Sequence, residues 1–175
     1  MKISTTVPAG ERGAFTIGRR EQQATLSDLP SAAQALLDGP VTATLACLNA
    51  NGTIHQSPVW VDTDDGHLVL NTVRGRLKDR NLRASPRLSL MFTDPADPYH
   101  WMSIQGEVAG VVDEDDPQHG HVATESINAM SAKYLGEETY PLRDPHTPEV
   151  RALFRIRPTN AVVYAPAQNN ESAAP

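Results

Sequence analysis

The chain has 175 residues, 39% of them hydrophobic and 5% aromatic, with a formal net charge of −6 at pH 7. This length suits one domain with a mainly aliphatic core, and the acidic balance argues against a general nucleic-acid binder, which needs many basic contacts to phosphate. Cys47 is the only cysteine, which excludes an intramolecular disulfide and a thiolate zinc cluster, and no long apolar run occurs, so we expect a soluble cytoplasmic protein with no membrane partner.

The two ends of the chain and a short helix frame one predicted domain. Residues 1–25 are polar, and we expect a flexible arm that is ordered only where it packs on another surface. Ser27-Asp28-Leu29-Pro30 has the composition of a helix start, and Gly39-Pro40 ends that helix. The domain is predicted over residues 26–165, and the small polar residues 166–175 predict a disordered tail.

Alternating apolar and polar residues predict a series of β-strands. The turn Asn51-Gly52 joins the first two of them into a hairpin, and Gly106 predicts a bulge or a barrel corner inside the longest strand. A helix is expected from the acidic segment near residue 115 to about Tyr134, with Gly136 as its cap. The predicted strands are 41–48, 53–61, 67–72, 87–92, 99–113, 152–157 and 161–164. This pattern favours a closed antiparallel β-barrel, because closure removes exposed strand edges.

The segment 71–90 concentrates positive charge in an acidic protein. A strand, a turn at Gly75 and a helix over 76–84 would bring free backbone N–H groups, the positive end of a helix dipole and cationic side chains to one place. This arrangement is the outline of a phosphate site, although a solvated basic helix explains the same pattern equally well. The basic residues of the segment are Arg74, Arg76, Lys78, Arg80, Arg83 and Arg87.

Only part of this charge is predicted to bind a ligand. Arg74, Arg76 and Lys78 lie at the turn, where arginine can grip pairs of phosphate oxygens and lysine supplies a mobile point charge. Leu77 and Leu82 are expected to face the core. The solvated face is assigned to Arg80, Arg83 and Arg87, with Arg83 paired to Asp79. Replacing Arg74 or Lys78 by alanine is predicted to weaken ligand binding.

The sequence Ser57-Pro58-Val59-Trp60 puts a proline inside a predicted strand. Since proline cannot donate to a ladder, the strand is an edge there or its backbone faces a ligand such as a flat ring. Trp60 would pack beside that ring or belong to the core, and both interpretations stay open.

No residue is identified as catalytic. The chain contains no nucleophile elbow, P-loop or dinucleotide fingerprint, so we assign the chemistry to a bound cofactor. His119 and His121 have no further ligand close by, and we predict no metal site.

Four segments of the chain resemble a known family. They read TATLACLNANGTIHQSPVWV, HLVLNTVRGRLKDRNLRASPRLSLMF, YHWMSIQGEVAGVVDEDD and KYLGEETYP, and they are similar to the pyridoxamine-phosphate-oxidase-like split β-barrel flavoproteins. Within that family they look most like the branch that binds the deazaflavin coenzyme F420. The resemblance covers about residues 36–164, and T-x-R-G-R-x-K-x-x-N-L-R-x-x-P-R is its most specific part. It implies a mainly β, six- to seven-stranded antiparallel split β-barrel with a few short helices, and a homodimer with the cofactor at the subunit interface.

The resemblance also assigns cofactor-binding residues by position. The group at 57–60 would line the ring, the group at 71–81 would hold the ribityl and phosphate part, and Trp101 or Tyr99 would reach in from the partner subunit. The assigned residues are Ser57, Pro58, Val59, Trp60, Asn71, Thr72, Arg74, Arg76, Lys78, Asn81 and Trp101.

The activity implied by the resemblance is that of an F420-dependent reductase that transfers hydride to a small unsaturated organic substrate. The alternatives are an FMN-dependent oxidoreductase on the same fold and a noncatalytic flavin- or deazaflavin-binding protein. The chain ends VVYAPAQNNESAAP, without the arginine- and tryptophan-bearing terminal segment with which pyridoxamine phosphate oxidase grips its substrate. This difference argues against the vitamin-oxidase activity itself.

Overall fold

The computed structural model describes residues 1–8, 15–20, 24–144, 146 and 148–164. Within these ranges the strands are β1 Lys2–Pro8, β2 Phe15–Arg20, β3 Ala43–Leu48, β4 Ile54–Val59, β5 Asp62–Asp64, β6 His67–Val73, β7 Arg87–Thr93, β8 Trp101–Asp113 and β9 Arg151–Tyr164. The α-helices are α1 Ser31–Asp38, α2 Leu77–Ala84 and α3 Gly120–Leu135, and a 3-10 helix spans Leu26–Asp28. The tail predicted at 166–175 lies outside the described residues.

The strands form one sheet in the order β2-β1-β9-β8-β7-β3-β4, with β6 also pairing β9 and β5 pairing β6. All ladders are antiparallel except that between β1 and β9. The predicted mainly β antiparallel fold with a few short helices is confirmed. Residues 2–8 and 15–20, which belong to the segment predicted as an arm, add two strands: β1 pairs with residues 160–164 at the end of β9, and β2 pairs with β1.

The predicted closure of the barrel is wrong. Strand β4 is the end strand of its sheet path and pairs only with β3 among the described residues, so Pro58 lies on an edge strand, as one of the two interpretations required. Beside this edge of β4, side chains of α3 lie where a further strand would close the barrel. The Tyr134 hydroxyl accepts the Val61 N–H at 3.0 Å and lies 3.1 Å from the carbonyl oxygen of Val41, which ties the link after β4 to the start of β3.

The long strand β9 replaces the two strands predicted at 152–157 and 161–164. Its ladder with β8 shifts register at Gly106, which confirms the predicted bulge. A Cβ atom at Gly106 would lie 2.6 Å from Ile156 Cγ2 and 3.0 Å from the Arg157 carbonyl oxygen. Glycine is therefore needed there because β9 passes too close for any side chain.

Two apolar clusters hold the fold together. The larger fills the inside of the curved sheet, where Leu45, Leu90, Ile104 and Phe154 are fully buried. The smaller lies between α3 and the outer face of β6 and β9, and Trp60 packs against it. Its buried members are Val69, Ala123, Ile127, Met130 and Leu153. Helix α3 is thereby fixed beside the open edge of β4. No helix in the described part of the chain is long and apolar enough to span a membrane.

Candidate functional site

A cavity of about 240 Å³ lies beside the open edge of β4, where α2, α3, β6 and the start of β9 meet. Six of the residues predicted to bind the cofactor line it, namely Pro58, Val59, Trp60, Asn71, Arg76 and Lys78. The remaining lining residues are Thr42, Ile127, Tyr140 and Arg151. The structure therefore brings the proline-bearing strand β4 and part of the basic segment 71–90 to one place.

Positive charge surrounds this cavity. Lys78 is half-buried, and its Nζ donates to the Pro58 carbonyl oxygen at 3.3 Å, across the outer edge of β4. Burial, assisted by the nearby charge of Arg76, lowers the pKa of Lys78 below its usual value. An anion bound in the cavity would offset both of these effects, because it would sit against a desolvated ammonium and a second cation.

Arg151 supplies a third cation that the sequence did not reveal. It is only 3% exposed, and its guanidinium carbon lies 4.5 Å from the centre of the Tyr140 ring. Its Nη2 lies 3.3 Å from Oε2 of Glu149. Arg151 is the first residue of β9 and lies far along the chain from the basic window, so its role depends on a tertiary contact that leaves no local pattern.

Aromatic rings form one wall of the cavity. Trp60 stacks on Tyr134 with ring centres 5.0 Å apart and planes 8° from parallel. Tyr140 meets the Trp60 ring edge-on, at 6.0 Å and 85°. Trp60 thus packs against the smaller core cluster and also lines the cavity, and its predicted contact with a cofactor ring stays a prediction.

Two buried polar atoms on residues that line the cavity make no hydrogen bond within the described part of the chain, namely Oδ1 of Asn71 and Nε of Arg151. The buried hydroxyls of Ser57 and Thr72, which face the barrel interior, are also unpaired among the described residues. Leaving a buried polar atom unpaired costs about 1–3 kcal/mol. A ligand that offers both acceptors and donors would therefore fit this cavity better than an apolar ligand.

The backbone N–H groups of the turn before α2, at Arg74, Gly75 and Arg76, are already hydrogen-bonded within the chain. Gly75 has a φ of 86°, and its N–H donates to the buried carboxylate of Asp79 at 2.8 Å. The N–H groups of Arg74 and Arg76 donate to the carbonyls of Val150 and Val73. The Gly75 N–H therefore already has a carboxylate partner in the first turn of α2, and the cationic groups that line the cavity are side chains.

Not all of the basic side chains in segment 71–90 lie where the sequence predicted. Arg74 does not line the cavity, because it makes two hydrogen bonds of 2.8 Å to the carboxylate of Asp115. Arg83 pairs with Asp79 at 2.8 Å, as predicted. Leu82 is buried as expected, whereas Leu77 is 43% exposed, so its predicted core position is wrong.

The other predicted site residues lie on different surfaces. Ser57 and Thr72 point into the barrel interior, and Asn81 is buried there with its Nδ2 donating to Asn49 Oδ1 at 2.9 Å. Trp101 lies on the outer face of the sheet, where it stacks on Tyr164 with ring centres 5.9 Å apart. Within one copy of the chain, Trp101 is separate from the cavity.

A larger cleft of about 450 Å³ lies elsewhere, and none of the predicted site residues lines it. Its charged residues are Arg87 and Glu107, which pair with each other at 3.5 Å, and Glu107 also binds Arg157 at 3.0 Å. Its charges are thus already neutralised. The smaller cavity is the better candidate, because its cations outnumber the carboxylates beside them.

Glu114 fixes the position of Arg151 at the start of β9. Its carboxylate accepts the Arg151 N–H at 3.0 Å and the Thr124 hydroxyl at 2.5 Å, and it pairs with Arg143. Burial acts to raise the pKa of Glu114, but hydrogen bonds from Arg143, Thr124 and the Arg151 N–H outweigh burial and lower the pKa to about 2.

We expect Glu114→Gln to lower the free energy of unfolding at pH 7 by about 3 kcal/mol. Because the folded-state pKa of about 2 lies below the ordinary value of 4.5, this stability is complete above pH 4.5 and is lost as the pH falls towards 2. Urea unfolding of both proteins between pH 7 and pH 2.5 measures it. The exposed Glu138→Gln is the control, and a Glu114→Gln deficit that did not shrink on acidification would contradict the assignment.

Comparison with known proteins gives a consistent result. A family model described as pyridoxamine 5'-phosphate oxidase matches residues 29–163. The structure of an F420 reductase superimposes with a TM-score of 0.62 and 26% identity, over 76% of this chain and 98% of that one. A conserved hypothetical protein from Mycobacterium tuberculosis superimposes with a TM-score of 0.54 and 22% identity, over 82% and 88% of the two chains. No curated protein matches the chain in sequence.

Proposed function

The chain belongs to the pyridoxamine 5'-phosphate oxidase family, and from this premise we propose that it is a flavin-type oxidoreductase. We propose further that its cofactor is the deazaflavin coenzyme F420, and that the reduced cofactor passes hydride to a small unsaturated organic substrate. The similarity to an F420 reductase at 26% identity supports F420 over FMN.

One observation carries the proposal. A single cavity combines a wall made by Trp60 and Pro58 with the cationic side chains of Arg76, Lys78 and Arg151. A ligand that is planar at one end and phosphorylated at the other matches both halves. The unpaired buried atoms Asn71 Oδ1 and Arg151 Nε give such a ligand an acceptor and a donor to bind.

The residues of this chain would bind and orient the cofactor rather than react. Lys78, Arg76 and Arg151 would hold its phosphate, and Asn71 would bind its polar chain while its own Nδ2 stays fixed on the Ala123 carbonyl oxygen at 2.8 Å. When bound, the deazaflavin supplies hydride chemistry. Trp60, braced by Tyr134, would cover one side of the site and exclude water from it.

The test is a titration of the purified full chain with oxidised and reduced F420, and separately with FMN, followed by fluorescence. We expect saturable F420 binding at micromolar concentration and weaker binding of FMN. Turnover would then be measured with reduced F420 and a panel of enones and quinones. Binding of neither cofactor would overturn the proposal, tighter FMN binding would favour the FMN-dependent alternative, and binding without turnover would favour a noncatalytic binding protein.

We also propose that the protein works as a homodimer. The outer face of β3, β4 and β7 carries Leu48, Ile54 and Met91, which are 42%, 68% and 37% exposed. Trp101 lies on the same face of the sheet, so a partner seated there could bring its own Trp101 towards the cofactor. Light scattering after size-exclusion chromatography should give twice the chain mass, and a monomer at micromolar concentration would contradict this proposal.

A further inference from the structure

Glu149 holds an unusual position beside the cavity. Its Oε1 lies 3.3 Å from Arg76 Nη2 and its Oε2 lies 3.3 Å from Arg151 Nη2, so one carboxylate bridges two of the cations that line the cavity. Glu149 does not line the cavity itself, and its side chain is only 14% exposed.

The two contacts of this carboxylate are long for ion pairs. Charge-assisted hydrogen bonds between nitrogen and carboxylate oxygen are usually about 2.7–2.9 Å, and Arg74 reaches Asp115 at 2.8 Å through both of its terminal nitrogens. The Glu149 carboxylate instead contacts both Arg76 and Arg151, and each contact is 3.3 Å long. Each arginine therefore keeps donor capacity, and Nε of Arg151 makes no hydrogen bond to any described residue.

We propose that Glu149 is an internal substitute for the anionic group of the ligand. In the free protein it neutralises part of the charge on Arg76 and Arg151 and holds the two guanidinium groups together. When a phosphate enters, its oxygens replace the carboxylate on one or both arginines. Glu149 thus lowers the affinity of the cavity for anions and favours ligands whose charge is high enough to compete. The inference relies on the proposed function for the identity of the natural ligand.

The test uses inorganic phosphate as the probe, measured by isothermal titration calorimetry on the full chain. Glu149→Gln keeps the shape of the side chain and removes its charge, and we expect phosphate to bind about fivefold more tightly, as for the loss of a competing ion pair of ordinary strength. The matched control is Glu107→Gln, because Glu107 also bridges two arginines, Arg87 and Arg157, but lies outside the cavity. It should leave phosphate affinity unchanged.

A double-mutant comparison separates competition from a general charge effect. In an Arg76→Gln background, Glu149→Gln should raise phosphate affinity less than in the wild type, because only Arg151 remains to be released. A shorter carboxylate, Glu149→Asp, cannot span both arginines and should give a smaller gain than Glu149→Gln. Thermal melts of each variant show whether it is folded.

The phosphate titrations can succeed or fail independently of the cofactor titrations that test the proposed function. Weaker or unchanged phosphate binding in folded Glu149→Gln would overturn the inference, even if the wild type binds F420. Tighter phosphate binding in Glu149→Gln but not in Glu107→Gln would support it, even if neither F420 nor FMN binds. An equal gain in phosphate affinity in both variants would mean that the effect comes from net charge alone, and this result would also overturn the inference.

Discussion

Replacing Lys78 by alanine should weaken F420 binding by about 1–3 kcal/mol, which is roughly a 5- to 150-fold rise in the dissociation constant. Lys78 is half-buried against the cavity, and burial already lowers its pKa, so an incoming phosphate would gain a strong charge-assisted contact there. A fluorescence titration of the variant with F420 measures the change.

The matched control is Arg74→Ala, which removes the same charge from the same segment. Arg74 is held by Asp115 and does not line the cavity, so its loss should change the dissociation constant by less than about twofold. This expectation differs from the one drawn from sequence, which gave both residues the same role. If Arg74→Ala weakened binding more than Lys78→Ala did, the anion would sit outside this cavity.

A second large effect is expected from Gly120→Ala, at the first residue of α3. The added Cβ would lie 2.1 Å from the carbonyl oxygen of Glu114 and 2.7 Å from its carbonyl carbon. These are backbone atoms and cannot rotate away, so the start of α3 must move. We expect a loss of about 3 kcal/mol in the free energy of unfolding, or a melting temperature lower by roughly 6–12 °C.

The control for this prediction is Gly110→Ala in β8, where an added Cβ would meet no atom within 4 Å. Its stability should stay within about 0.5 kcal/mol of the wild type.

Cofactor affinity should also fall in Gly120→Ala, because α3 supplies Ile127 to the cavity wall and the Ala123 carbonyl that holds Asn71. Equal melting temperatures for the two variants would contradict the close packing of α3 on the Glu114 backbone.

Local sequence patterns were sufficient for most of the fold. Alternation and turn residues located β3, β4, β6, β7 and β8 within a few positions and β9 as two pieces, whereas β1, β2 and β5 were not predicted; Gly106 correctly indicated a bulge. The closure of the barrel could not be read in this way, because it depends on whether β4 meets a strand or a helix. The Tyr134 hydroxyl satisfies the Val61 N–H in place of a ladder, and no periodicity in the sequence shows that contact.

The candidate site was predicted only where local chemistry pointed to it. Pro58 was informative because proline is out of place in a central strand, and Lys78 because it lies beside a glycine turn. Arg74 and Arg76 are the same residue type on either side of Gly75, so the sequence does not distinguish their roles. In the structure Asp115 binds Arg74 away from the cavity, whereas Arg76 lines the cavity. Arg151 reaches the cavity through a tertiary contact that no local sequence pattern predicts.

We propose that the cavity beside β4 holds the phosphorylated part of a flavin-type cofactor. A crystal structure of the protein with bound F420 would show where the phosphate binds. We expect the phosphate within about 2.7–3.2 Å of nitrogen atoms of Lys78 and Arg151, with the ring beside Trp60. A phosphate bound instead in the larger cleft at Arg87, or on the surface at Arg74 and Arg80, would contradict the claim.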